Sequence, residues 1–370
     1  MQVHVGIAGA GLAGRLLAWR LLARGARVSL FDAAGRDDRG SAGPTAAAML
    51  SPTAELAAAD SRIHQLGLRS LQLWESWLVE LHRLSGQQVY FRREGTLVVA
   101  HAADRGALAH YRGLLRAHLP GEPFEQMVRP ADAQRIAELE PLLGGRFADG
   151  LFLPLEGQLA NDQLYSALAA ALDAALAACG GAWHERCPIE RVLPDALLAR
   201  DGTRHRFDLA VDCRGVGARG DIAGLHGVRG EVLTVAAPGV RLRRPVRLIH
   251  PRYALYVAPR PQGRFVVGAT ELDSEDDAPI TLRSTLELGS ALYSLHPEFG
   301  EARVLRLAAA LRPALPDRQP LAAPDAQGVW RINGLFRHGY LIAPAVIEQA
   351  EAGVAAQLGL GRAGELPDAA

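Results

Sequence analysis

The sequence contains no lysine, so all 40 of its basic residues are arginine. Without a lysine amine, the protein has no side chain that forms a Schiff base with a carbonyl substrate. The basic residues are matched by 40 acidic ones, and the resulting formal net charge of zero argues against an extended nucleic-acid-binding surface. We therefore expect neither lysine-based covalent catalysis nor a nucleic acid partner.

Cysteine is also scarce, with three residues, Cys179, Cys187 and Cys213. Their spacing forms neither a C-x-x-C motif nor a zinc site, so we expect no metal and interpret them as buried or incidental thiols. No segment reaches the ~18 uninterrupted apolar residues of a membrane span. The first residues lead directly into a predicted strand and not into a secretory leader. We expect a cytoplasmic protein without a membrane partner.

What the sequence does have is a glycine motif close to its start. An apolar run of strand length over 3–8 is followed by Gly9-Ala10-Gly11-Leu12-Ala13-Gly14 and by a helical apolar stripe over 15–24. A second short strand over 28–31 then ends on Asp32. This order of elements predicts a complete βαβ unit.

Each glycine of this motif has its own task in a dinucleotide site. Gly9 permits the tight turn, Gly11 lets a pyrophosphate approach the backbone, and Gly14 lets the helix pack closely on the strand. The helix N-terminus offers unpaired N–H groups to phosphates. Asp32 lies 18 residues after Gly14, near the spacing at which a carboxylate meets a ribose hydroxyl. The motif alone does not separate NAD from FAD, and a glycine-rich turn that only packs a helix on a sheet is the alternative.

A run of small residues between two prolines follows at 44–52. Such a run suits the close approach of backbone to a planar ligand. An ordinary helix start after Pro44 explains the same residues equally well.

The rest of the chain predicts a second kind of sheet. An amphipathic helix over 61–84 precedes segments that do not continue the βαβ alternation, and 230–235, 253–258 and 264–270 are predicted strands of an antiparallel sheet. We also expect a helix over 130–139, a helix capped by Asn161 and Asp162, and a proline-bounded loop over 311–317 that carries Arg312.

Six short motifs, all in the same order along the chain, resemble those of one family. They are Gly9–Gly14 with Asp32; Ala46-Ala47-Ala48-Met49; Arg229-Gly230-Glu231; Tyr256–Arg260 with Gly263–Thr270; Leu311-Arg312-Pro313 with Pro316-Asp317; and Phe336-Arg337-His338-Gly339 with Ala343-Pro344-Ala345. The chain resembles the glycine oxidases of the D-amino-acid-oxidase-like flavoprotein family, of the ThiO type associated with thiamine synthesis. Ala48 and His338 stand where the family has glycine and asparagine, a departure that concerns the local geometry at the flavin.

The resemblance implies the fold and the cofactor. We expect an α/β protein, α+β overall, in which a Rossmann-like FAD-binding domain is interleaved in sequence with an antiparallel-sheet substrate domain. The expected division is 1–84, 145–225 and 301–362 for the FAD-binding domain, 85–144 and 226–300 for the substrate domain, and 363–370 for a tail. FAD would be bound without a covalent link, because no cysteine lies near the C-terminal flavin loop. The implied FAD contacts are Gly9, Gly11, Leu12, Ala13, Gly14, Asp32, Ala46, Ala47, Ala48, Met49, Ile189, Leu335, Phe336, Arg337, His338, Gly339, Tyr340 and Leu341.

The resemblance also implies how a substrate carboxylate is bound. An arginine pairs with a carboxylate through two parallel hydrogen bonds, and Arg312, with Arg337 as a second arginine, would take this role. Tyr256 would add a hydroxyl. A solvated arginine and a half-buried sheet tyrosine are the plainer interpretations of the same residues. His338 is either a donor beside the flavin or a simple loop residue.

The implied reaction is oxidative deamination of glycine or another small amino acid or amine. A hydride leaves Cα for the flavin, water hydrolyses the imine, and oxygen is reduced to hydrogen peroxide, with no side-chain base required. The sequence leaves three alternatives open: a D-amino-acid dehydrogenase with another electron acceptor, a flavin module that trims a modified tRNA base, and a non-catalytic flavin-binding protein. A homo-oligomer is possible on this sequence.

Overall fold

The computed structural model describes residues 2–38, 41–119, 121–250, 254–361 and 364. In chain order, the strands are β1 (His4–Ala8), β2 (Arg27–Phe31), β3 (Met49–Leu50), β4 (Phe91–Arg92), β5 (Thr96–Ala100), β6 (Arg129–Asp132), β7 (Asp149–Leu153), β8 (Gly157–Leu159), β9 (Ala182–His184), β10 (Ile189–Leu193), β11 (Ala196–Ala199), β12 (Arg204–Arg206), β13 (Leu209–Asp212), β14 (His226–Ala236), β15 (Val246–Ile249), β16 (Ala254–Arg260), β17 (Arg264–Gly268), β18 (Arg303–Ala314), β19 (Leu321–Pro324) and β20 (Trp330–Asn333). The α-helices are α1 (Leu12–Ala23), α2 (Ala42–Thr45), α3 (Pro52–Glu55), α4 (Ser61–Ser85), α5 (Arg105–His118), α6 (Glu122–Met127), α7 (Ala133–Leu139), α8 (Asn161–Ala178), α9 (Leu282–Leu295) and α10 (Gly339–Leu358).

The predicted βαβ unit forms the centre of a six-stranded sheet. Strands β1 and β2 pair in parallel with α1 between them, and β13 pairs in parallel with the other side of β1. The strand order is β19-β20-β13-β1-β2-β9, with β19 antiparallel at one edge. The parallel strands bring the turn after β1 and the end of β2 to the same edge of the sheet, which is where this type of fold binds its ligand.

Both faces of the six-stranded sheet are covered. Helices α1, α4, α8 and α10 share an apolar core on one face, in which Trp19 and Trp74 are each 1% exposed. Burial of a large apolar side chain stabilises the fold by about 1.5–3 kcal/mol. The small antiparallel sheet β10-β11-β12 covers the other face and packs Val192 and Leu197 with Phe31. Coverage on both sides explains why β1 and β2 are almost continuously apolar.

An eight-stranded sheet forms the second layer, in the order β18-β14-β17-β16-β15-β5-β7-β6. Its neighbouring strands are antiparallel except β15 and β5. Helix α9 covers one face and buries Leu288 and Leu292 in a core that includes Phe265. The predicted hairpin β16–β17 is confirmed, although Tyr253, where we expected its first strand to begin, lies outside the described residues. The expected α/β, α+β fold class is confirmed.

Two strands join a different sheet from the one that the predicted domain division implies. Strand β7 pairs with β5 and β6, and β18 pairs with β14, so both belong to the eight-stranded sheet. The division placed 145–225 and 301–362 in the FAD-binding domain. A division by sheet membership moves β7 and β18 to the substrate domain, and the domain boundaries remain a proposal. The tail over 363–370 lies outside the described residues except Gly364.

Strand β18 extends through the segment that the sequence predicts as a loop. Residues 311–314 continue the ladder, with Arg312 opposite Val228 and Pro313 opposite Gly227. Proline donates no hydrogen bond, but β18 is an edge strand, where a missing N–H on the open side costs little. Arg312 is therefore held by a strand and not by a loop.

Two predicted helix starts differ from the structure. The helix expected over 130–139 begins at Ala133, because Asp132 accepts a 2.8 Å hydrogen bond from the N–H of Arg135 and caps it, while 129–132 forms β6. The helix over 161–178 is capped by Ala160, without a side-chain hydrogen bond. Asn161 is free for another role.

Candidate active site

A cleft of about 880 Å³ opens where the two large sheets meet. Its walls come from the glycine turn after β1, the segment over 41–58, strands β14, β15, β16 and β18, and the start of α10. Because these elements are far apart in sequence, the cleft depends on the complete fold.

The glycine turn at one end of the cleft has the geometry that a pyrophosphate needs. Gly9 adopts a φ of 97°, and a Cβ atom at Gly14 would lie 1.8 Å from the carbonyl oxygen of Gly9. At Gly11, by contrast, a Cβ atom would meet nothing within 4 Å, and this residue precedes α1 without a side-chain cap. The first N–H groups of α1 therefore face open space at the cleft.

Asp32 stands at the end of β2 and lines the same part of the cleft. Its Oδ2 accepts a 2.5 Å hydrogen bond from the N–H of Ala10, and its Oδ1 accepts a 2.8 Å bond from the N–H of Ala34. A carboxylate has about four acceptor positions, so Asp32 keeps capacity for ribose hydroxyls while it fixes the glycine turn.

The small-residue segment crosses the middle of the cleft. Neither interpretation of 44–52 holds alone, because helix α2 ends at Thr45 and Ala46 to Ala48 follow as cleft-lining backbone. Asn161 Nδ2 lies 3.3, 3.0 and 2.7 Å from the carbonyl oxygens of Gly43, Pro44 and Ala46 and holds this segment in place.

A buried arginine braces the same segment from behind. Arg260 Nη2 donates to the carbonyl oxygen of Ala47, and its Nη1 donates to Gln158 Oε1 at 2.7 Å. Burial lowers the pKa of Arg260 to about 10. In the part of the chain that the structure describes, no carboxylate lies within 4 Å of this guanidinium, so carbonyl and amide oxygens carry its solvation.

The C-terminal flavin loop closes the other wall. Residues 335–341 all line the cleft, and α10 begins at Gly339 with its N-terminus in this wall. Tyr340 Oη donates a 3.0 Å hydrogen bond to the carbonyl oxygen of Gly43, which ties the loop to the small-residue segment.

These features fit FAD. The open approach at Gly11, the Asp32 carboxylate and the small residues over 46–49 line one continuous cleft. Sixteen of the eighteen expected FAD contacts line it; Gly14 and Ile189 do not. Gly14 instead packs against the glycine turn, and Ile189 begins β10 and accepts a 3.2 Å hydrogen bond on its carbonyl oxygen from Arg214.

The expected carboxylate-binding side chains lie at the sheet end of the cleft. Arg312 Nη1 and Nη2 each donate a 3.0 Å hydrogen bond to the carbonyl oxygen of Thr270. Tyr256 lies over Gly268, where a Cβ atom would come 2.9 Å from the phenol oxygen. Burial lowers the pKa of Arg312 and raises the pKa of Tyr256, so the phenol stays protonated near neutral pH.

Arg337 also lines the cleft, but its guanidinium lies between two carboxylates. Its Nε is 3.0 Å from Glu55 Oε2, and its Nη1 is 2.9 Å from Glu271 Oε2. Arg337 thus differs from Arg312, because part of its hydrogen-bonding fork is already taken. His338 is buried beside it, with Nδ1 3.3 Å from Glu55 Oε2.

Sequence reasoning missed Glu55 and Arg247. Arg247 Nη2 donates a 3.0 Å hydrogen bond to Glu55 Oε1, and both residues line the cleft. Burial alone would raise the pKa of Glu55, but His338, Arg337 and Arg247 hold it well below its ordinary value. Arg247 lies directly opposite Tyr256 in the β15–β16 ladder. Its position at the substrate end of the cleft can therefore be inferred only once the strand register is known.

Sequence reasoning also missed Glu156, which directly precedes β8, and Gln158, which lies within it. Glu156 Oε1 accepts a 2.7 Å hydrogen bond from the N–H of Ala54, and Gln158 accepts from Arg260. Burial raises the pKa of the Glu156 carboxyl, although Arg247 partly offsets this effect. Glu156 thus holds α3, directly after the small-residue segment, and Gln158 supports Arg260, which braces the middle of that segment.

The described residues offer few other reactive or metal-binding groups. The three cysteines are free thiols, and among the described residues no His, Cys, Asp and Glu cluster could hold a metal ion. No helix in the described ranges is long and apolar enough to cross a membrane.

A dinucleotide cleft that leads to an arginine-lined pocket is the arrangement expected of a nucleotide-dependent oxidoreductase. Residues 4–349 match the family described as FAD dependent oxidoreductase, so the chain belongs to that family and its cofactor is FAD.

The chain is similar to particular members. It is 39% identical over 338 residues to a Rhizobium etli protein named as the thiamine biosynthesis oxidoreductase ThiO, covering 91% of this chain and 92% of that protein. Glycine oxidase from Bacillus cereus has a similar fold, with a TM-score of 0.81 at 19% identity over 96% of each chain. Iminodiacetate oxidase from Chelativorans sp. BNC1 matches with a TM-score of 0.78 at 23% identity, over 98% of this chain and 97% of that one. The expected resemblance is confirmed.

Proposed function

We propose that this protein oxidises glycine or a similarly small α-amino acid with FAD, reduces oxygen to hydrogen peroxide, and serves thiamine biosynthesis. The substrate and the biosynthetic role extend to this chain what the names of its relatives say of them. A cytoplasmic location and a homo-oligomeric state remain predictions.

The proposal rests on the surroundings of the Arg312 guanidinium. In the described part of the chain, no carboxylate lies within 4 Å of its guanidinium, which has a carbonyl oxygen as partner. A cation in a partly dry cleft without a counter-ion is an expected site for a substrate carboxylate. Gly230, Ala269 and Ala310 line the cleft nearby, and their small side chains suit a small substrate.

The residues of the chain bind and orient, and FAD, when bound, supplies the two-electron acceptor. Arg312 would bind the carboxylate with two parallel hydrogen bonds. Tyr256, whose raised pKa keeps it protonated, would donate a third hydrogen bond to the same group. Fixing the carboxylate at these two side chains orients Cα, and orientation of this kind contributes a large part of a catalytic effect.

Anaerobic titration of the purified protein with glycine tests the proposal. We expect the visible absorbance of the flavin to bleach, and to recover with release of peroxide when air is admitted. Sarcosine and D-alanine then rank the substrates. In Arg312→Lys, which keeps the charge but loses the planar fork, we expect the rate of bleaching at a given glycine concentration to fall about 100-fold.

Each other outcome selects a different function. Bleaching without rapid recovery in air would indicate a dehydrogenase with another electron acceptor. A yellow protein that none of these substrates bleaches would reject the amino-acid oxidase and leave the non-catalytic flavin-binding protein.

A further inference from the structure

Three arginines line the substrate end of the cleft, and they differ in their ion-pair partners. Arg247 and Arg337 are both paired with Glu55, at 3.0 Å each, whereas Arg312 has no carboxylate within ion-pair distance among the described residues. Glu271 adds a second carboxylate to Arg337 at 2.9 Å. Glu271 is shared with Arg318, whose Nη1 lies 3.7 Å from its Oε1. Of the three arginines at this end of the cleft, Arg312 thus carries the one remaining positive charge without a carboxylate partner among the described residues.

The remaining charge matches a substrate with one carboxylate. A substrate with two would bring its second carboxylate toward Glu55, because Glu55 lines the same cleft as Tyr256 and Arg312. Two like charges at close range repel each other, and they do so more strongly in a partly buried cleft than in water. Glu55 also occupies the donors that would otherwise bind that second group.

Arg247 is placed to bind a second carboxylate if Glu55 releases it. It stands opposite Tyr256 in the β15–β16 ladder, and side chains of directly opposed residues have Cβ atoms about 4.5–5.5 Å apart. The Nε of Arg247 is buried and has no hydrogen-bond partner. Loss of the Glu55 carboxylate would therefore free Nη2 of Arg247 as a donor, directly across the ladder from the Tyr256 side chain that binds the first carboxylate.

We propose that Glu55 is a specificity-determining residue that restricts this oxidase to substrates with one carboxylate, by neutralising Arg247 and Arg337. Without the charge of Glu55, the two arginines form a second carboxylate site, and an iminodiacetate-like dicarboxylate becomes the preferred ligand. This inference rests on the proposed function, because it takes Arg312 and Tyr256 as the site of the first carboxylate.

Two ether analogues test this inference without turnover. Methoxyacetate and oxydiacetate have the same ether backbone with one and two carboxylates, and neither has an amine to oxidise. Their binding to the FAD-loaded protein is measured by isothermal titration calorimetry. We expect the wild type to bind methoxyacetate about tenfold more tightly than oxydiacetate, and Glu55→Gln to reverse this preference by binding oxydiacetate at least about tenfold more tightly than the wild type does.

Glu271→Gln is the matched control, because it removes a carboxylate that pairs with Arg337 and Arg318 and leaves the ion pair between Arg247 and Glu55 in place. We expect it to keep the preference for methoxyacetate. The double variant Glu55→Gln with Arg247→Gln should lose the gained affinity for oxydiacetate, since the second site then lacks its main donor.

Several results would overturn the inference. One is a wild type that binds oxydiacetate as tightly as methoxyacetate, a result that stands even if Glu55→Gln does not fold. Others are an unchanged preference in Glu55→Gln and an equal gain in Glu271→Gln. A wild type that binds neither analogue and is not bleached by glycine would instead reject the proposed function itself.

Discussion

The guanidinium of Arg312 lies directly over Gly230. A Cβ atom at residue 230 would come 2.2 Å from Cζ and from Nη2 of Arg312. The absence of a side chain on β14 is therefore what allows the arginine of β18 to cross the sheet toward Thr270. This contact gives a physical reason for the Arg229-Gly230 motif, in which Arg229 itself is buried against Glu231.

Gly230→Ala should displace Arg312 while FAD remains bound. Because a misplacement of about 1 Å can cost about 100-fold in rate, we expect kcat/KM for glycine to fall by at least tenfold. Steady-state kinetics and the ratio of flavin to protein absorbance measure the two effects. Gly289→Ala, in α9 with nothing within 4 Å of the added Cβ, is the control and should behave as the wild type. Unchanged kinetics in Gly230→Ala would contradict the described position of Arg312.

Alanine substitutions at the second and third glycines of the motif, Gly11 and Gly14, should have different consequences. Gly11→Ala has room for its methyl group, so we expect a folded protein that does not retain FAD, because the methyl group occupies the approach of the pyrophosphate. Gly14→Ala places a methyl group 1.8 Å from the carbonyl oxygen of Gly9, so we expect it to unfold or to precipitate. Circular dichroism and flavin content separate the two outcomes. A Gly11→Ala protein that purifies yellow would contradict the assignment of this turn.

Ala48→Gly should stabilise the protein, which is unusual for such a change. Ala48 has a φ of 49°, and this left-handed conformation costs an L-residue about 1–2 kcal/mol. Glycine removes that cost but adds about 0.4–1 kcal/mol of unfolded-state entropy, so we expect a net gain of about 0–1.6 kcal/mol. Chemical denaturation of the FAD-free protein measures it. Ala47→Gly, whose φ is not positive, should instead lose about 0.5–1 kcal/mol.

Asn161→Asp should weaken FAD binding without a change in size. The variant replaces the amide donor with a carboxylate oxygen that faces the carbonyl oxygens of Gly43, Pro44 and Ala46. An unsatisfied buried acceptor costs about 1–3 kcal/mol, so the dissociation constant for FAD should rise at least about tenfold. Flavin fluorescence on dilution measures it. Asp162→Asn, at the next residue, removes a charge outside this contact and should leave FAD affinity unaltered.

Glu156→Gln should make the protein more stable at pH 8 but not at about pH 4. Burial raises the pKa of Glu156, so the folded protein keeps a proton that the unfolded chain releases. The protonated carboxyl of Glu156 thus stabilises the fold at pH values below its ordinary pKa, and this contribution is lost as pH rises through its pKa in the folded protein. Glutamine keeps the oxygen that accepts from Ala54 and has no proton to lose. Thermal unfolding at the two pH values checks the prediction.

Glu55→Gln provides the opposite case in the same measurement. The pKa of Glu55 is held well below its ordinary value, so the carboxylate stabilises the fold above that value and stops doing so as pH falls through its folded pKa. This variant should be less stable than the wild type at pH 8. The same sign for both variants would show that the two carboxyl groups are not in the environments described.

The parts of the fold that sequence predicts well are those set by neighbouring residues. The turn from Gly9 to Gly14, the long helix α4 and the β16–β17 hairpin depend on local spacing, and each appears where it is expected. The extended conformation of Arg312 was not predictable in this way. Pro313 looks like a strand breaker until β18 is known to be an edge strand.

The missed site residues depend on pairing between distant segments. Glu55 meets Arg247 across 192 residues, and Asn161 reaches the segment at Gly43 across 118. Neither spacing carries a local signal. Sequence therefore predicts the ends of the cleft, the glycine turn and Arg312, but not the side chains that adjust its charge and hold its middle.

The pairing of β1 also constrains how the protein is made. This strand pairs with residues 209–212, more than 200 positions further along the chain, and the adjoining β20 spans 330–333. Closing such long loops is entropically costly and slow. The first half of the chain leaves the ribosome before β13 and β20 exist, with apolar strands that lack their partners. We therefore expect FAD capture to be a late event in biogenesis, and truncated chains to depend on chaperones and not on the cofactor for protection against aggregation.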